Sequence, residues 1–203
     1  MDIKKKNTIV LFIVILGVAF MMFPITVNAA YPTYKHDWEW NYNGAAYYYN
    51  VSLSSNYVNA AKQAADNWYK TGYHTNPLYP MKRTYTQTDS PMDLYKETLG
   101  NNLLGLTTFF RAGGAEIRVD DKGPVQNWRY CKILIDEEYT NFYFGSNMKS
   151  SVRKVLLAHE MGHVFGLAHT TSKATIMYPY IDEITVTSIT KADSAALVQK
   201  LNF

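Results

Sequence analysis

The chain has 203 residues, of which 47% are hydrophobic and 15% aromatic, and its formal net charge is +3. This composition is typical of a globular protein with a substantial core. The sequence lacks the long basic stripe that would indicate a nucleic-acid partner. The only cysteine, Cys131, excludes an internal disulfide, and its apolar surroundings in the sequence predict a buried, unreactive thiol.

The N-terminal 29 residues have the pattern of a secretory signal peptide. Lys4–Lys6 precede an apolar run over residues 8–23, and Val27 and Ala29 form a small-residue cleavage site. We therefore expect cleavage after Ala29 and secretion of residues 30–203 as a single domain. The apolar run approaches the ~18 residues that begin to suggest a membrane span. An uncleaved signal segment would therefore be the one membrane contact.

The next elements alternate between strand and helix patterns. An aromatic-rich strand is expected near residues 46–54, and an amphipathic helix over residues 56–71, where Ala61, Ala65 and Trp68 recur at helical spacing. Five short β-like segments separated by turn signals follow, at residues 81–87, 93–99, 104–110, 116–119 and 131–136. A last helix is predicted over residues 190–203.

A helix predicted over residues 150–165 leads into the pattern H-E-x-x-H-x-x-G-x-x-H. His159 and His163 are four residues apart, so they lie on one helix face a turn apart. Gly166 can adopt the left-handed conformation that ends a helix, and the resulting turn would bring His169 back to the same ion. Three imidazoles with one position left for water form a catalytic rather than a structural zinc site.

Glu160 supplies the second half of this chemistry. It lies about 100° around the helix from His159, so it should lean over the open side of the metal instead of binding it. A carboxylate there can take a proton from metal-bound water and deliver it to a leaving amine. The alternative is a buried helix that carries histidines by coincidence. Three of the five histidines in the chain fall within the motif, which favours the metal site.

The long motif resembles the zinc signature of the metzincin metalloproteases. Met177, in the stretch Thr175–Pro179, resembles the Met-turn of the matrixins, the family of the matrix metalloproteases and their bacterial relatives. This resemblance, which the order of the predicted elements matches, implies a metzincin-like α+β fold. Its parts are a twisted, mostly parallel mixed sheet, two backing helices, an active-site helix, the Met-turn and a C-terminal helix. It also implies a secreted zinc endopeptidase, in which Glu160 activates a zinc-bound water and Met177 forms an apolar floor beneath the metal.

The same resemblance suggests residues for substrate binding. Residues 104–110 resemble the matrixin edge strand, which pairs with an extended peptide, so Leu106 and Thr107 are candidate pocket residues. Pro179 matches the family pattern, whereas Ile181 replaces an aromatic residue on the outer wall of the pocket for the residue after the scissile bond. An acidic residue that braces the Met-turn in matrixins corresponds to Asp193.

One catalytic Zn²⁺ is the expected cofactor. Leu134 occupies the position where vertebrate matrixins have a histidine for a second, structural zinc, so we expect no zinc of that type. Ca²⁺ is not indicated, because the candidate oxygen ligands are better interpreted as solvated surface charges. These candidates are Asp120, Asp121, Asp136, Glu137 and Glu138. The expected partner is a peptide or protein substrate, and the expected state is a monomer.

Two other functions are compatible with the metal motif. A secreted binding protein without activity could keep the fold and the metal, but the intact Glu160 argues against it. A zinc hydrolase acting on a non-peptide amide is the other alternative, and the resemblance around Met177 disfavours it.

Overall fold

The computed structural model describes residues 31–39, 47–73, 81–145 and 148–201. All of them belong to the unit Tyr31–Phe203. The predicted signal peptide lies outside the described residues. Within these described ranges, no helix is both long and apolar enough to cross a membrane.

Most strands of the described chain form one twisted sheet behind the motif. The strands are β1 (Tyr47–Asn50), β2 (Lys82–Thr84), β3 (Met92–Lys96), β4 (Gly105–Phe110), β5 (Val119–Asp120), β6 (Gly123–Pro124) and β7 (Tyr130–Ile135). The main sheet has the order β2-β1-β3-β7-β4, while β5 and β6 pair separately. All neighbours in the main sheet are parallel except β4, which runs antiparallel to β7. The predicted mostly parallel mixed sheet is therefore confirmed.

Strand β4 forms one edge of this sheet, as predicted for residues 104–110. The predicted strand at residues 116–119 is wrong, since only Val119 enters a strand and Glu116 makes an isolated bridge to Phe110. The reason is a tight turn at Gly113 and Gly114, whose φ angles of 90° and 82° fold the chain back onto the end of β4.

Helix α1 (Ser55–Tyr69) closely matches the helix predicted over residues 56–71. Its buried face is made largely of alanines, including Ala61 and Ala65, and this lets α1 pack closely against the helix of the motif. Trp68 ends that face and donates its indole N–H to the carbonyl oxygen of Ala158 at 2.9 Å. The indole therefore both fills the core and satisfies its only donor.

Helix α2 (Glu137–Phe144) has no counterpart among the predicted elements. Asp136 caps it by accepting a hydrogen bond from the Tyr139 N–H at 2.8 Å, and Glu137 accepts one from the Ser54 N–H at 2.7 Å. Both carboxylates are buried, so their interpretation as solvated surface charge is wrong. Backbone donors replace water around them. The acidic residues that are exposed as expected are Asp120, Asp121 and Glu138.

Two further helices complete the described fold. Helix α3 (Ser150–Val164) carries the first part of the motif and is buried from Val155 to its end. Helix α4 (Lys191–Leu201) begins after Thr190, whose hydroxyl oxygen accepts a hydrogen bond from the Asp193 N–H at 3.2 Å. Together the sheet and four helices form the mixed α+β architecture that the matrixin resemblance implied.

Candidate metal centre and active site

Three histidine side chains converge at the end of α3. His159 and His163 project from adjacent turns of the helix, and their Nε2 atoms are 3.1 Å apart. Gly166, with φ of 91°, ends the helix region and reverses the chain, so that His169 approaches from the other side. The Nε2 atom of His169 lies 3.1 Å from the Nε2 atoms of both other histidines. The structure therefore brings the three predicted ligands together.

Backbone carbonyl groups set the orientation of two of the rings. Nδ1 of His159 lies 2.8 Å from the carbonyl oxygen of Ile176, and Nδ1 of His163 lies 2.9 Å from that of Leu167. A carbonyl oxygen can only accept a hydrogen bond, so each Nδ1 carries the ring proton. Each Nε2 is then left with a lone pair directed at the centre of the triad.

The triad fits a zinc ion. Nitrogens bound to tetrahedral zinc at 2.0–2.1 Å would be separated by about 3.3 Å, which is close to the spacing between the histidine nitrogens. Burial lowers the pKa of His159 to about 4, with the neighbouring His169 adding to the effect. Burial also lowers the pKa of His163 well below its usual value and lowers that of His169. All three rings are therefore neutral near pH 7, as metal binding requires. Among the described residues, these three histidines form the one cluster of possible ligands that could hold a metal ion.

Glu160 lies beside the triad, where it faces strand β4. Its side chain is 4% exposed. The Thr107 hydroxyl donates a hydrogen bond of 2.7 Å to Glu160 Oε2. Burial raises the pKa of Glu160 to about 7, and the hydrogen bond from Thr107 opposes this rise. A β-carbon at Gly105 would lie 2.6 Å from Glu160 Oε1, so the absence of a side chain there gives the carboxylate its space.

Met177 lies buried beneath α3. A β-carbon at Gly162 would overlap its sulfur, so the glycine allows the Met-turn to approach the helix. The turn is held by Asp193, which accepts hydrogen bonds from the N–H groups of Ile176 and Thr190 at 3.3 and 2.8 Å. The turn is thereby fixed at Ile176, whose carbonyl oxygen accepts a hydrogen bond from the His159 ring N–H.

The four candidate pocket residues fall into different environments. Thr107 is buried on the side of β4 that faces Glu160. Leu106, 39% exposed, lies on the opposite face of the strand because side chains alternate. It therefore does not line the same wall as Thr107. Pro179 is half-buried, and Ile181 is buried in the core within a short helical turn at Ile181–Glu183.

One contact to the triad is absent from the sequence predictions. Tyr34 places its hydroxyl oxygen 2.8 Å from Nδ1 of His163, although 129 residues separate them in the chain. No local pattern could have identified this tyrosine, since it is one of many aromatics in its segment.

Comparison with known proteins agrees with the motif and the fold. Residues 129–201 match the family model described as matrixin, a peptidase family. No curated protein matches the chain significantly. The matched region begins just before β7 and includes α2, α3, the Met-turn and all of α4. The recognition drawn from the motif is thus confirmed, and residues 129–201, which carry the histidine triad, are matrixin-like.

Proposed function

We propose that the protein is a secreted zinc-dependent endopeptidase. The observation that carries this proposal is the buried Glu160 carboxylate, held beside a neutral histidine triad and facing an edge strand. A structural zinc site needs four protein ligands and no adjacent base. This site offers three histidines together with a carboxylate outside the ligand group, which is the arrangement that hydrolysis requires.

His159, His163 and His169 would hold the zinc. When bound, the zinc would polarise the scissile carbonyl and lower the pKa of the attacking water. Glu160 takes a proton from the attacking water and passes it to the leaving nitrogen. The hydrogen bond from the Thr107 hydroxyl keeps the carboxylate in one orientation during both transfers.

The edge of β4 supports an extended peptide as the substrate. Leu104 and Phe110 accept hydrogen bonds from the N–H groups of Asp136 and Arg129, at the two ends of β7. In an antiparallel ladder the bonding direction alternates, so the even-numbered residues of β4 bond inward to β7. The odd-numbered residues therefore direct their backbone groups away from the sheet.

Only part of this outer edge is open to a substrate. The carbonyl oxygen of Phe109 is already occupied by the N–H of Ile117 at 2.8 Å. Gly105 and Thr107 remain as the backbone positions with which an incoming strand can pair. Both residues also contact or closely approach Glu160, so a peptide paired there would lie over the base.

Export and assembly complete the proposal. The signal-peptide pattern of residues 1–29 supports secretion, with a membrane contact only if that segment stays uncleaved. We propose that the secreted protein acts as a monomer on peptide or protein substrates.

The proposal can be tested by mapping the cleavage of a peptide library by mass spectrometry. Purified protein should cut internal peptide bonds, a zinc chelator should abolish the cuts, and added Zn²⁺ should restore them. A protein that holds zinc yet cuts no peptide would instead be a binding protein. Hydrolysis of small non-peptide amides without peptide cleavage would favour the non-peptide hydrolase.

A further inference from the structure

The N-terminal segment, residues 31–39, reaches the metal site through one side chain. The Tyr34 hydroxyl oxygen is 2.8 Å from Nδ1 of His163, and the two rings are nearly parallel, with an interplanar angle of 16° and centroids 5.8 Å apart. With Nε2 directed at the triad, Nδ1 carries the proton, so the phenol oxygen accepts a hydrogen bond from this N–H, as the Leu167 carbonyl oxygen does. We propose that Tyr34 is a positioning residue that fixes the orientation of the His163 imidazole for zinc.

Tyr34 is itself held firmly enough for this task. Its N–H donates to the carbonyl oxygen of Gly166, and its own carbonyl oxygen accepts from Lys200 Nζ, both at 2.7 Å. The phenol ring makes edge-to-face contacts with Phe109 and Trp128. These contacts anchor the backbone on both sides and leave the ring little rotational freedom.

Gly123, the first residue of β6, leaves space for the Tyr34 ring. Gly123 adopts a φ angle of 104°, and a β-carbon there would overlap the Tyr34 ring. The glycine therefore serves two needs, a left-handed backbone and room for the phenol.

The surroundings of the Tyr34 hydroxyl also favour its hydrogen bond with His163. Tyr34 is partly buried, and the imidazole N–H is a hydrogen-bond partner for its phenol oxygen. Partners of this kind orient metal-binding histidines, and their removal typically costs about 10–100-fold in metal affinity or activity.

Zinc affinity measured by chelator competition, on the full chain, tests this role, which rests on the metal site of the proposed function. Tyr34→Phe keeps the ring but removes the hydroxyl, and it should weaken zinc binding by about tenfold or more. Tyr57→Phe is the matched control. Tyr57 is buried, and its hydroxyl donates to Asn141 at 3.4 Å, away from the triad. This control should stay within about twofold of wild type.

The visible absorption of the cobalt(II)-substituted protein gives a second readout, because it reports the arrangement of the ligands. The Tyr34→Phe spectrum should differ from wild type, while the Tyr57→Phe spectrum should not. Equal zinc affinity and an unchanged cobalt spectrum in Tyr34→Phe would overturn the positioning role. Failure of the wild-type chain to bind zinc would instead overturn the metal site itself, and the role of Tyr34 with it.

A pair of glycine variants tests the same role without touching the tyrosine. Gly123→Ala should displace the Tyr34 ring and weaken zinc binding. Gly113→Ala places the same side chain at a φ of 90° with no atom within 4 Å, so it carries similar backbone strain alone. Equal zinc affinities in the two variants would contradict the coupling between Tyr34 and the metal site.

Discussion

Gly105→Ala should disable catalysis while leaving the metal site and the fold in place. The new β-carbon would lie 2.6 Å from Oε1, 3.0 Å from Cδ and 3.1 Å from Cγ of Glu160. Ordinary van der Waals contacts between heavy atoms begin near 3.5 Å, so the whole carboxyl end must move by roughly 0.5–1 Å. Gly105 is not among the described residues with positive φ, so alanine adds no backbone strain there.

The expected loss follows from the displacement. A shift of about 1 Å in a catalytic group can cost on the order of 10²-fold in rate. Complete loss of general acid–base help costs typically 10²–10⁴-fold, which sets the upper bound. We therefore expect kcat/KM for a quenched peptide to fall by about 10²-fold in Gly105→Ala. Zinc content should stay at the wild-type level.

Thr108→Ala is the matched control on the same strand. Its side chain lies on the opposite face of β4 from Glu160, because residues alternate along a strand. This variant should keep kcat/KM near wild type. If Gly105→Ala also kept wild-type kcat/KM with full zinc, the placement of the Glu160 carboxylate against β4 would be refuted.

Three further changes probe the metal, the Met-turn and the thiol. His169→Ala removes one of three ligand nitrogens and should strongly reduce the zinc content, measured by elemental analysis. Full zinc content in this variant would show that His169 is not a ligand. Asp193→Asn weakens charged hydrogen bonds to Ile176 and Thr190 and should cost on the order of 2–3 kcal/mol. The Tm should then fall by roughly 5–10 °C, and an unchanged Tm would contradict the bracing role. Burial raises the pKa of Cys131, so Cys131→Ala should keep wild-type activity and lose only about 1 kcal/mol of stability. Activity clearly above or below wild type would contradict an inert thiol.

The metal site was largely predictable because its geometry is local. Helical periodicity places His159 and His163 on one face, and a glycine with positive φ is enough to return His169 to them. The resemblance supplied the position of Met177 and the edge strand. No distant contact was needed for these predictions.

The missed features depend on contacts between distant parts of the chain. Asp136 and Glu137 look like surface charges in sequence, yet backbone N–H groups from other segments and from the α2 turn satisfy them in the interior. Tyr34 reaches His163 only because the N-terminal segment crosses the turn at Gly166. Side-chain alternation also places Leu106 opposite Thr107, which the resemblance alone did not resolve.

The most direct measurement of the central claim compares Glu160→Gln with wild type for peptide hydrolysis and zinc content. Glutamine has the same shape, so zinc content and thermal unfolding should remain near wild type. An amide cannot take up a proton from the attacking water, so kcat/KM should fall by about 10²–10⁴-fold. If Glu160→Gln hydrolyses the peptide as fast as wild type, Glu160 is not the base and the proposed mechanism is contradicted.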